Sequence, residues 1–391
     1  MEKNLIVDSG LRGVTVASTR ISHVDGDAGK LIYRGFLVGD LAGSATYEET
    51  VHLLLFEHLP DKIELADFKK RLSTHRRVSD ELIKILELFP TDAQAMDVLQ
   101  AATALMGAYD PDIRGVAKED FLNMGLRLIA GMPTVVAAWH RIRSGRKPVP
   151  PDPDLDHGAN FLYMLNGEIP AVDEARFFDV ALLLHAEHSF NASTFSARQV
   201  ASTRAHMYAS ISAAVGSLSG ELHGGANVRV MEMLLEIASV DAVEAYVEKV
   251  LDQGKRIMGL GHAVYRVDDP RAHILAPMAL EMGKRTGQPQ WYEISKVLEE
   301  KGKAAFKARK NADIYVNVDF YSASLYYAMG IPVDLFTPVF AMARVAGWAA
   351  HVIEERFAGA AEKPMLYRPE SQYVGNYCGP EECSYIPIDE R

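Results

Sequence analysis

Three segments of this chain are apolar around most of the circumference of a helix, and this pattern restricts the possible folds more than any other feature. The segments are residues 172–187, 194–218 and 337–356. Helices that are apolar on every side belong in the interior of a large protein. Two shorter segments, residues 47–58 and 96–109, also have apolar residues at helical spacing. We therefore expect a mainly α-helical fold.

Strand signals are confined to the first 40 residues, where short alternating runs stand between glycine and aspartate. No alternation of strands and helices follows, and no phosphate loop ending in Gly-Lys-Ser or Gly-Lys-Thr occurs, which argues against a doubly wound nucleotide-binding sheet. Pro133 is expected to begin a helix that runs to Arg143. Residues 149–154 resemble a linker or a loop. The sequence thus predicts a large multi-helical protein with a few short N-terminal strands.

The composition is that of an acidic globular protein. The 391 residues carry a net charge of −11, which argues against a general binder of nucleic acid or anionic membranes. The length suits two domains or one large domain with a subordinate part. The first ten residues lack the pattern of a signal peptide, and no segment has the roughly 18 uncharged apolar residues that span a bilayer. We expect a cytoplasmic protein.

Three short segments each place one titratable side chain beside glycine or other small residues. They are Leu-His-Gly-Gly-Ala-Asn at 222–227, Gly-Leu-Gly-His-Ala-Val-Tyr-Arg at 259–266 and Asn-Val-Asp-Phe-Tyr-Ser-Ala at 317–323. Small residues let another molecule approach the backbone closely. The titratable groups, two imidazoles and a carboxylate, suffice to move protons at carbon. With the arginines downstream, the pattern favours an enzyme that forms carbon–carbon bonds and handles small carboxylates.

His223 and Asp319 each have a chemical and a structural interpretation. His223 precedes an expected helix over 226–237, whose dipole would keep the imidazole neutral, as a hydrogen-bond donor to a developing enolate oxygen. The structural alternative is a histidine that caps this helix. Asp319 is the natural general base, with a pKa raised by partial burial. The structural alternative for Asp319 is an N-cap.

His262 stands on a glycine-flanked turn and is followed by two arginines. The imidazole would polarise a carbonyl, while Arg266 and Arg271 would hold a carboxylate, so that a keto acid is both activated and oriented. The alternative is a surface loop in which Asp268 and Asp269 pair with those arginines.

Metal binding is the weaker alternative for this chemistry. His185 and His188 are three residues apart on an expected helix, a spacing that suits one metal ion, and His223, His262 and Asp319 would complete the ligands. No metalloenzyme signature accompanies them, so we predict no metal.

The two cysteines, Cys378 and Cys383, lack matching histidines and are expected to be plain thiols.

Further motifs in the chain resemble the citrate synthase family over almost the whole length. Besides the three segments above, they are Val-Asp-Gly at 24–26, Tyr-Arg-Gly-Phe at 33–36, Ala-Asn-Phe-Leu-Tyr-Met at 159–164, His-Ser-Phe-Asn-Ala-Ser-Thr at 188–194, Asp-Pro-Arg at 269–271, Phe-Thr-Pro at 336–338, Ala-Arg-Val-Ala-Gly-Trp at 343–348 and Arg-Pro at 368–369. Their joint occurrence in this order is highly specific.

The resemblance implies a homodimer in which each subunit has a large domain and a smaller mobile domain that closes over the substrates. The large domain would comprise residues 1–224 and 333–391, and the small domain residues 225–332. The implied reaction condenses acetyl-CoA with oxaloacetate and hydrolyses citryl-CoA to citrate and CoA, as in the tricarboxylic acid cycle. It would need no cofactor.

Site residues are implied by the same resemblance. Asp319 would remove a methyl proton from acetyl-CoA, His223 would donate a hydrogen bond to the thioester oxygen, and His262 would polarise the ketone of oxaloacetate. The side chains expected to hold the oxygens of oxaloacetate and citrate are His188, Arg271, Arg344 and, across the dimer interface, Arg368. Those expected to contact CoA are Arg266 and, from the basic run 301–310, Lys307 and Lys310; the alternative for that run is a solvated helix face.

Two alternatives to this activity stay open. The same motifs fit 2-methylcitrate synthases, which use propionyl-CoA, and a difference of one methylene is worth only ~1–3 kcal/mol in a pocket. A relative that binds CoA and a keto acid without turnover is the other alternative, and the intact His223, His262 and Asp319 argue against it.

Overall fold

Helices dominate this computed structural model, which describes residues 10–11, 13–374, 385 and 387–390. The α-helices are α1 (Val38–Ser44), α2 (Tyr47–Phe56), α3 (Lys62–His75), α4 (Asp80–Leu86), α5 (Ala95–Ala108), α6 (Lys118–Arg143), α7 (His157–Asn166), α8 (Val172–His185), α9 (Ala192–Ser202), α10 (Met207–Leu218), α11 (Ala226–Ile237), α12 (Val243–Asp252), α13 (Pro270–Arg285), α14 (Gln290–Lys310), α15 (Val318–Ala328) and α16 (Phe336–Arg356). The expected mainly α fold is confirmed. Cys378 and Cys383 lie outside the described residues.

A small antiparallel sheet near the N-terminus confirms the expected strands. Its order is β1 (Ser22–Asp25), β2 (Lys30–Tyr33) and β3 (Phe36–Leu37), with Ser22 opposite Tyr33. The sheet is fixed to the helical body because the buried Tyr33 hydroxyl donates to the backbone carbonyl of Glu187 over 2.7 Å. One end of this sheet is therefore held beside the α8–α9 connection.

Two long helices, α6 and α16, form the centre of the fold. Among the described residues, Lys118–Arg143 and Val333–Arg356 are the two segments long and apolar enough to cross a membrane, and 89% and 100% of their apolar windows are buried inside the protein. Core helices of large proteins have this composition because they touch other helices on every side.

The expected helix start at Pro133 is wrong. Helix α6 begins fifteen residues earlier, at Lys118, where the Asp120 carboxylate accepts the Ala117 N–H over 2.8 Å. Pro133 lies inside this helix and removes one backbone hydrogen bond. The helix continues because its central residues are almost all buried against neighbouring helices, and this packing outweighs the loss of one bond.

The expected single helix over 194–218 is two helices, α9 and α10. Arg204 between them has φ +69°, a left-handed conformation that a helix cannot contain. His206 then caps α10, since its Nδ1 accepts the Ala209 N–H over 3.1 Å. Apolar residues recur in both halves, so hydrophobic periodicity alone does not detect the break.

Helices α11 to α15 pack mainly with one another: α13 and α11 lie against α15, and α12 lies against α14. Contacts of this group with the remaining helices are fewer and involve α1, α8 and α16. A large cavity opens along this boundary.

Candidate active site

The cavity along this boundary has a volume of about 1030 Å³. Strand β1, the α8–α9 loop, the turn before α11, the loop at 256–264 and helices α13, α15 and α16 contribute to its lining. The predicted site residues that line it are His188, His223, His262, Arg271, Asp319 and Arg344. Segments separated by more than 150 residues thus supply one site.

His223 lies on the turn that precedes α11. Its Nε2 accepts the backbone N–H of Ser193 over 3.1 Å, and the Ser193 hydroxyl lies 2.8 Å from the same nitrogen. An amide can only donate, so Nε2 carries no proton in this arrangement and Nδ1–H remains the donor. Burial, assisted by Arg344, lowers the pKa of His223 to about 4. The ring is neutral, as expected, but burial rather than the helix dipole is the main cause.

His262 has its proton on the opposite nitrogen. Its Nδ1 accepts the backbone N–H groups of Val264 and Tyr265 over 3.0 and 3.1 Å, which leaves the proton on Nε2. Burial and the nearby Arg271 lower the pKa of His262 to about 4. This ring is therefore also a neutral hydrogen-bond donor.

Asp319 lies in the first turn of α15. Asn317 caps the helix by accepting the Asp319 N–H over 3.1 Å, so the N-cap alternative for Asp319 is wrong. No side chain in the described part of the chain donates to its carboxylate. Burial raises the pKa of Asp319 to about 6, while Arg271 and Arg344 oppose this rise. A carboxylate with such a pKa suits a general base.

Arg271 is buried and already paired. Its Nε and one terminal nitrogen donate to the two carboxylate oxygens of Asp269 over 3.0 and 2.6 Å. The charge of Arg271 lowers the pKa of the buried Asp269 below its usual range. Asp269 therefore pairs with an arginine, as the structural alternative predicted. The pair is buried beside the cavity, however, so the surface loop of that alternative is wrong.

Arg344 is the second buried cation of the cavity, and it is not paired with a carboxylate of the described chain. Its Nε donates to the His185 carbonyl over 2.6 Å and its guanidinium lies over the Phe340 ring. No carboxylate among the described residues lies within ion-pair distance. Burial lowers its pKa to about 10, which leaves it charged at neutral pH. An unpaired buried cation in a cavity is suited to binding an anion.

His188 follows α8 and is also buried in the cavity wall. Its Nε2 lies 3.3 Å from the Tyr265 hydroxyl, and its ring meets that of His262 edge-on at 5.4 Å. Burial, together with Arg271, holds the pKa of His188 well below its usual value. It is therefore a third neutral imidazole beside the two arginines.

The structure offers little support for a metal in this cavity. His188, His262 and Asp269 place ligand atoms within 4.8 Å of one another. However, Asp269 accepts from Arg271, and the Nδ1 of His262 accepts from two amides. His185 and His188 do not share a helix, because α8 ends at His185.

The residues expected to contact CoA lie outside the cavity lining. Arg266 is exposed, and its backbone N–H donates to the carbonyl of Gly26 over 2.8 Å. Lys307 and Lys310 are exposed at the end of α14, where Lys307 pairs with Asp313 at 2.7 Å. Most of the basic run 301–310 is engaged in such ion pairs, as a solvated helix face would be.

Arg368 is likewise remote from the lining. It is exposed in the segment after α16, next to Tyr367, whose backbone N–H donates to the Ser202 hydroxyl and whose own hydroxyl donates to Glu355 over 2.6 Å. The segment is thus tied to the body of the subunit immediately before Arg368.

Two cations that the sequence analysis missed line the cavity. Arg256 is exposed and has no carboxylate within ion-pair distance among the described residues, whereas Arg229 pairs with Glu221 at 3.4 Å. Neither belongs to a recognisable motif. The only signal for Arg256 was its position just before the Gly-Leu-Gly-His segment.

Comparisons with known proteins agree with this architecture. A family model described as "Citrate synthase, C-terminal domain" matches residues 10–370. The chain is 44% identical over 392 residues to a citrate synthase from Synechocystis, covering 100% of this chain and 96% of that protein. It is also 38% identical over 390 residues to 2-methylcitrate synthase 1 from Corynebacterium glutamicum, with 98% of each covered.

Solved structures give the same result. A citrate synthase from Pyrobaculum aerophilum superposes with a TM-score of 0.89 at 39% identity, covering 98% of this chain and 95% of that chain. A ternary complex of carboxymethyl coenzyme A and oxaloacetate with the citrate synthase of Thermoplasma acidophilum gives a TM-score of 0.88 at 31% identity, covering 98% and 100%. This chain therefore belongs to the citrate synthase family of acyl-transferring enzymes.

Proposed function

We propose that this enzyme condenses acetyl-CoA with oxaloacetate and hydrolyses the resulting citryl-CoA to citrate and CoA. The supporting observation is one cavity that holds a carboxylate with a pKa of about 6, Asp319, and two neutral imidazoles, His223 and His262, whose proton positions are set by backbone amides. The proposed steps use only side chains of this chain and need no metal or redox cofactor.

In the first step, Asp319 takes a proton from the methyl group of acetyl-CoA. Such a proton is removed at a useful rate only if negative charge on the thioester oxygen is stabilised as it develops. The Nδ1–H of His223 supplies that hydrogen bond, and because the ring is neutral, the enolate oxygen is stabilised without requiring full proton transfer.

In the second step, the enolate carbon attacks the ketone carbon of oxaloacetate. The Nε2–H of His262 donates to the ketone oxygen and passes its proton to that oxygen as the carbon–carbon bond forms, which gives the hydroxyl of citryl-CoA; the His262 ring then regains a proton from solvent. The thioester carbonyl re-forms as the carbon–carbon bond is made. Water then attacks this carbonyl, which releases the CoA thiol and leaves the third carboxylate of citrate.

Two carboxylates of oxaloacetate need cationic partners. We assign them to Arg344, whose terminal nitrogens have no carboxylate partner in the described chain, and to Arg271, with His188 as a further hydrogen-bond partner. Binding the dianion would offset the cost of keeping two guanidinium groups buried in one cavity. Arg368 from the second subunit would complete the set.

Residues 225–332 form the small mobile domain in this mechanism. This range contains α11 to α15, which pack mainly with one another, and it contributes His262, Arg271 and Asp319 to the cavity. Closure against the large domain, residues 1–224 and 333–391, would bring these groups to His188 and Arg344 and exclude water during the condensation.

Phosphates of CoA would contact cations around the cavity mouth. Arg256 lines the cavity, and we propose it as a CoA contact in addition to Arg266, Lys307 and Lys310. Lys307 would have to exchange its exposed ion pair with Asp313 for a phosphate, a small cost for a surface pair.

The active form of the enzyme is a homodimer in the cytoplasm. Helices α5 and α10 pack together, and both carry small, incompletely buried residues on their outward faces, among them Ala101, Ala213 and Ser217. A second copy could approach closely there. The acidic composition suits a protein dissolved in the cytoplasm.

The first test is release of free CoA thiol by the purified protein with oxaloacetate, in the presence of a chelator. We expect acetyl-CoA to be used in preference to propionyl-CoA. Equal or better use of propionyl-CoA would instead assign the activity of the 2-methylcitrate synthase relative. Binding of CoA and oxaloacetate without thiol release from either acyl-CoA would refute the proposed mechanism.

The pH dependence should report Asp319. Because burial raises its pKa to about 6, the carboxylate becomes protonated and loses its function as base when the pH falls through that value. We expect kcat/KM to fall about tenfold for each pH unit below about pH 6, because a single proton inactivates the base. His223 and His262, with pKa values of about 4, stay neutral in this range and do not steepen the slope. A fall in kcat/KM of about a hundredfold per pH unit, which would indicate two protons, or no fall at all would contradict the assignment of Asp319 as the base.

Sharing of Arg368 between subunits can be tested with hybrid dimers. We expect Asp319→Asn and Arg368→Ala homodimers to be weakly active, whereas a hybrid of the two holds one site with an intact Asp319 and an intact Arg368. Random reassociation of equal amounts should therefore restore roughly a quarter of wild-type activity in a two-fold symmetric dimer. No recovery in reassociated dimers, verified by differential tagging, would place Arg368 in its own subunit's site, whereas wild-type activity of the Arg368→Ala homodimer would place it outside the mechanism.

A further inference from the structure

The hairpin turn between β1 and β2 touches the segment that carries His262. This turn spans residues 26–29 and is held in shape by Asp25, whose side chain accepts the Ala28 N–H over 2.9 Å. The Gly26 carbonyl accepts the Arg266 N–H over 2.8 Å. The hairpin thus makes a direct backbone bond to the loop between His262 and α13.

The packing at this contact leaves no room for a side chain. A Cβ on Gly26 would stand 2.3 Å from the Val264 carbonyl oxygen and 3.0 Å from its carbonyl carbon. These are backbone atoms, so a rotamer change cannot relieve the overlap. At the other end of the turn, Gly29 has φ +64°, and a Cβ there would stand 2.7 Å from a methyl carbon of Val267.

The same loop determines the orientation of His262. The backbone N–H groups of Val264 and Tyr265 both donate to its Nδ1 and thereby put the ring proton on Nε2. The hairpin touches the carbonyl of Val264, which belongs to the same peptide group as the Tyr265 N–H donor, and the amide of Arg266, which belongs to the next peptide group. A shift of the loop against the hairpin would therefore turn the donors away from the imidazole.

The opposite side of the loop is fixed independently. The Gly261 N–H donates to the Tyr315 carbonyl over 2.7 Å, and the Asp269 N–H donates to the Val316 carbonyl over 2.9 Å. Tyr315 and Val316 lie within residues 225–332, the proposed small domain, and so does the loop. The hairpin lies outside that range. The hairpin is thus, besides His188, a contact with the loop that a movement of the proposed small domain would make or break.

We infer that the 26–29 turn is a positioning element for His262: it holds residues 264–266 so that the amides of Val264 and Tyr265 orient the imidazole when the cavity is closed. Gly26 is a positioning residue, because it touches neither substrate nor the reacting atoms. The inference rests on the proposed function, since it assigns the turn to the step in which His262 polarises the ketone.

Gly26→Ala is the direct test. We expect kcat to fall by about tenfold to 10²-fold, because an ångström-scale displacement of a polarising group is costly. The KM for oxaloacetate should change little, because Arg271 and Arg344 hold the carboxylates and Arg271 is fixed through Asp269. Hydrogen–deuterium exchange in residues 262–269 should become faster while the unfolding midpoint stays the same.

Gly39→Ala in α1 is the matched control, since a Cβ there meets nothing within 4 Å, and it should leave kcat and exchange unchanged. A second pair of variants adds no bulk to the contact: Asp25→Ala removes the acceptor that shapes the turn and should lower kcat, whereas Asp25→Asn keeps an acceptor oxygen and should restore it.

Wild-type kcat and wild-type exchange in Gly26→Ala would overturn the inference. Faster exchange throughout the protein with a lower unfolding midpoint would also overturn it, because the turn would then be a general stabilising element. If the wild-type protein releases no thiol, the proposed function fails, but the exchange comparison still shows whether the turn holds the loop.

Discussion

Replacing Asp319 by asparagine is expected to lower kcat by about 10²- to 10⁴-fold, the range that a positioned general base contributes. The amide has nearly the same shape as the carboxylate but cannot take the methyl proton of acetyl-CoA. Because no described side chain donates to Asp319, the change breaks no protein hydrogen bond to the carboxylate. Thiol release at saturating substrates measures the effect, and exchange of the acetyl methyl hydrogens with solvent measures the proton-removal step itself.

The stability of this variant provides a second check. Folding raises the pKa of Asp319 above its unfolded value, so the folded state disfavours the ionised form. Any stabilisation of the fold by the protonated carboxyl group is therefore lost as the pH rises through about 6. At neutral pH the neutral asparagine should therefore leave the unfolding midpoint unchanged or raise it. Asp241→Asn, on an exposed turn, is the control for loss of a charge. Near-normal turnover in Asp319→Asn would remove this residue from the mechanism.

The part of the site that is local in sequence was predictable from sequence. The helix expected over 226–237 is α11, and His223 precedes it as anticipated. The glycines around His262 and the short run before Asp319 correctly indicated segments that approach a cavity. These features are encoded within a few residues, where glycine, small residues and periodicity have direct structural consequences.

The proton position of His223 could not be predicted in this way. The tautomer of His223 depends on the amide of Ser193, which is 30 residues earlier in the chain. The low pKa of His223 depends on burial and on Arg344, which are properties of the folded cavity. Arg256 was missed for the same reason, since only the fold brings it to the lining.

The predicted helix boundaries were wrong where tertiary packing opposed the local conformational preference of the chain. Pro133 locally favours a helix start, yet the burial of α6 on all sides keeps one helix continuous through it. Between α9 and α10 the opposite occurs: the apolar pattern continues, but Arg204 takes a left-handed conformation and the chain turns. Propensity is a weak prior in both places, because packing of the whole domain decides the outcome.

The two buried arginines of the cavity, Arg344 and Arg271, should respond differently to substitution. We expect Arg344→Met to raise the KM for oxaloacetate by about 10²-fold or more, since two charge-assisted hydrogen bonds of about 1.5–3 kcal/mol each would be lost. Its unfolding free energy should change little. Methionine removes a buried cation whose pKa is lowered by desolvation, and this gain offsets the loss of one bond to the His185 carbonyl, worth about 1 kcal/mol.

Arg271→Met should weaken oxaloacetate binding and also destabilise the fold. The substitution leaves Asp269 buried without its guanidinium partner, and breaking a buried pair in this way costs about 3–5 kcal/mol. Denaturant unfolding and steady-state kinetics of the two variants separate the effects. Equal stability of both variants would show that the backbone N–H of residue 271, which donates to the Asp269 carboxylate over 3.0 Å, holds Asp269 adequately without the guanidinium. An unchanged KM in Arg344→Met would mean that this unpaired cation is not a carboxylate site.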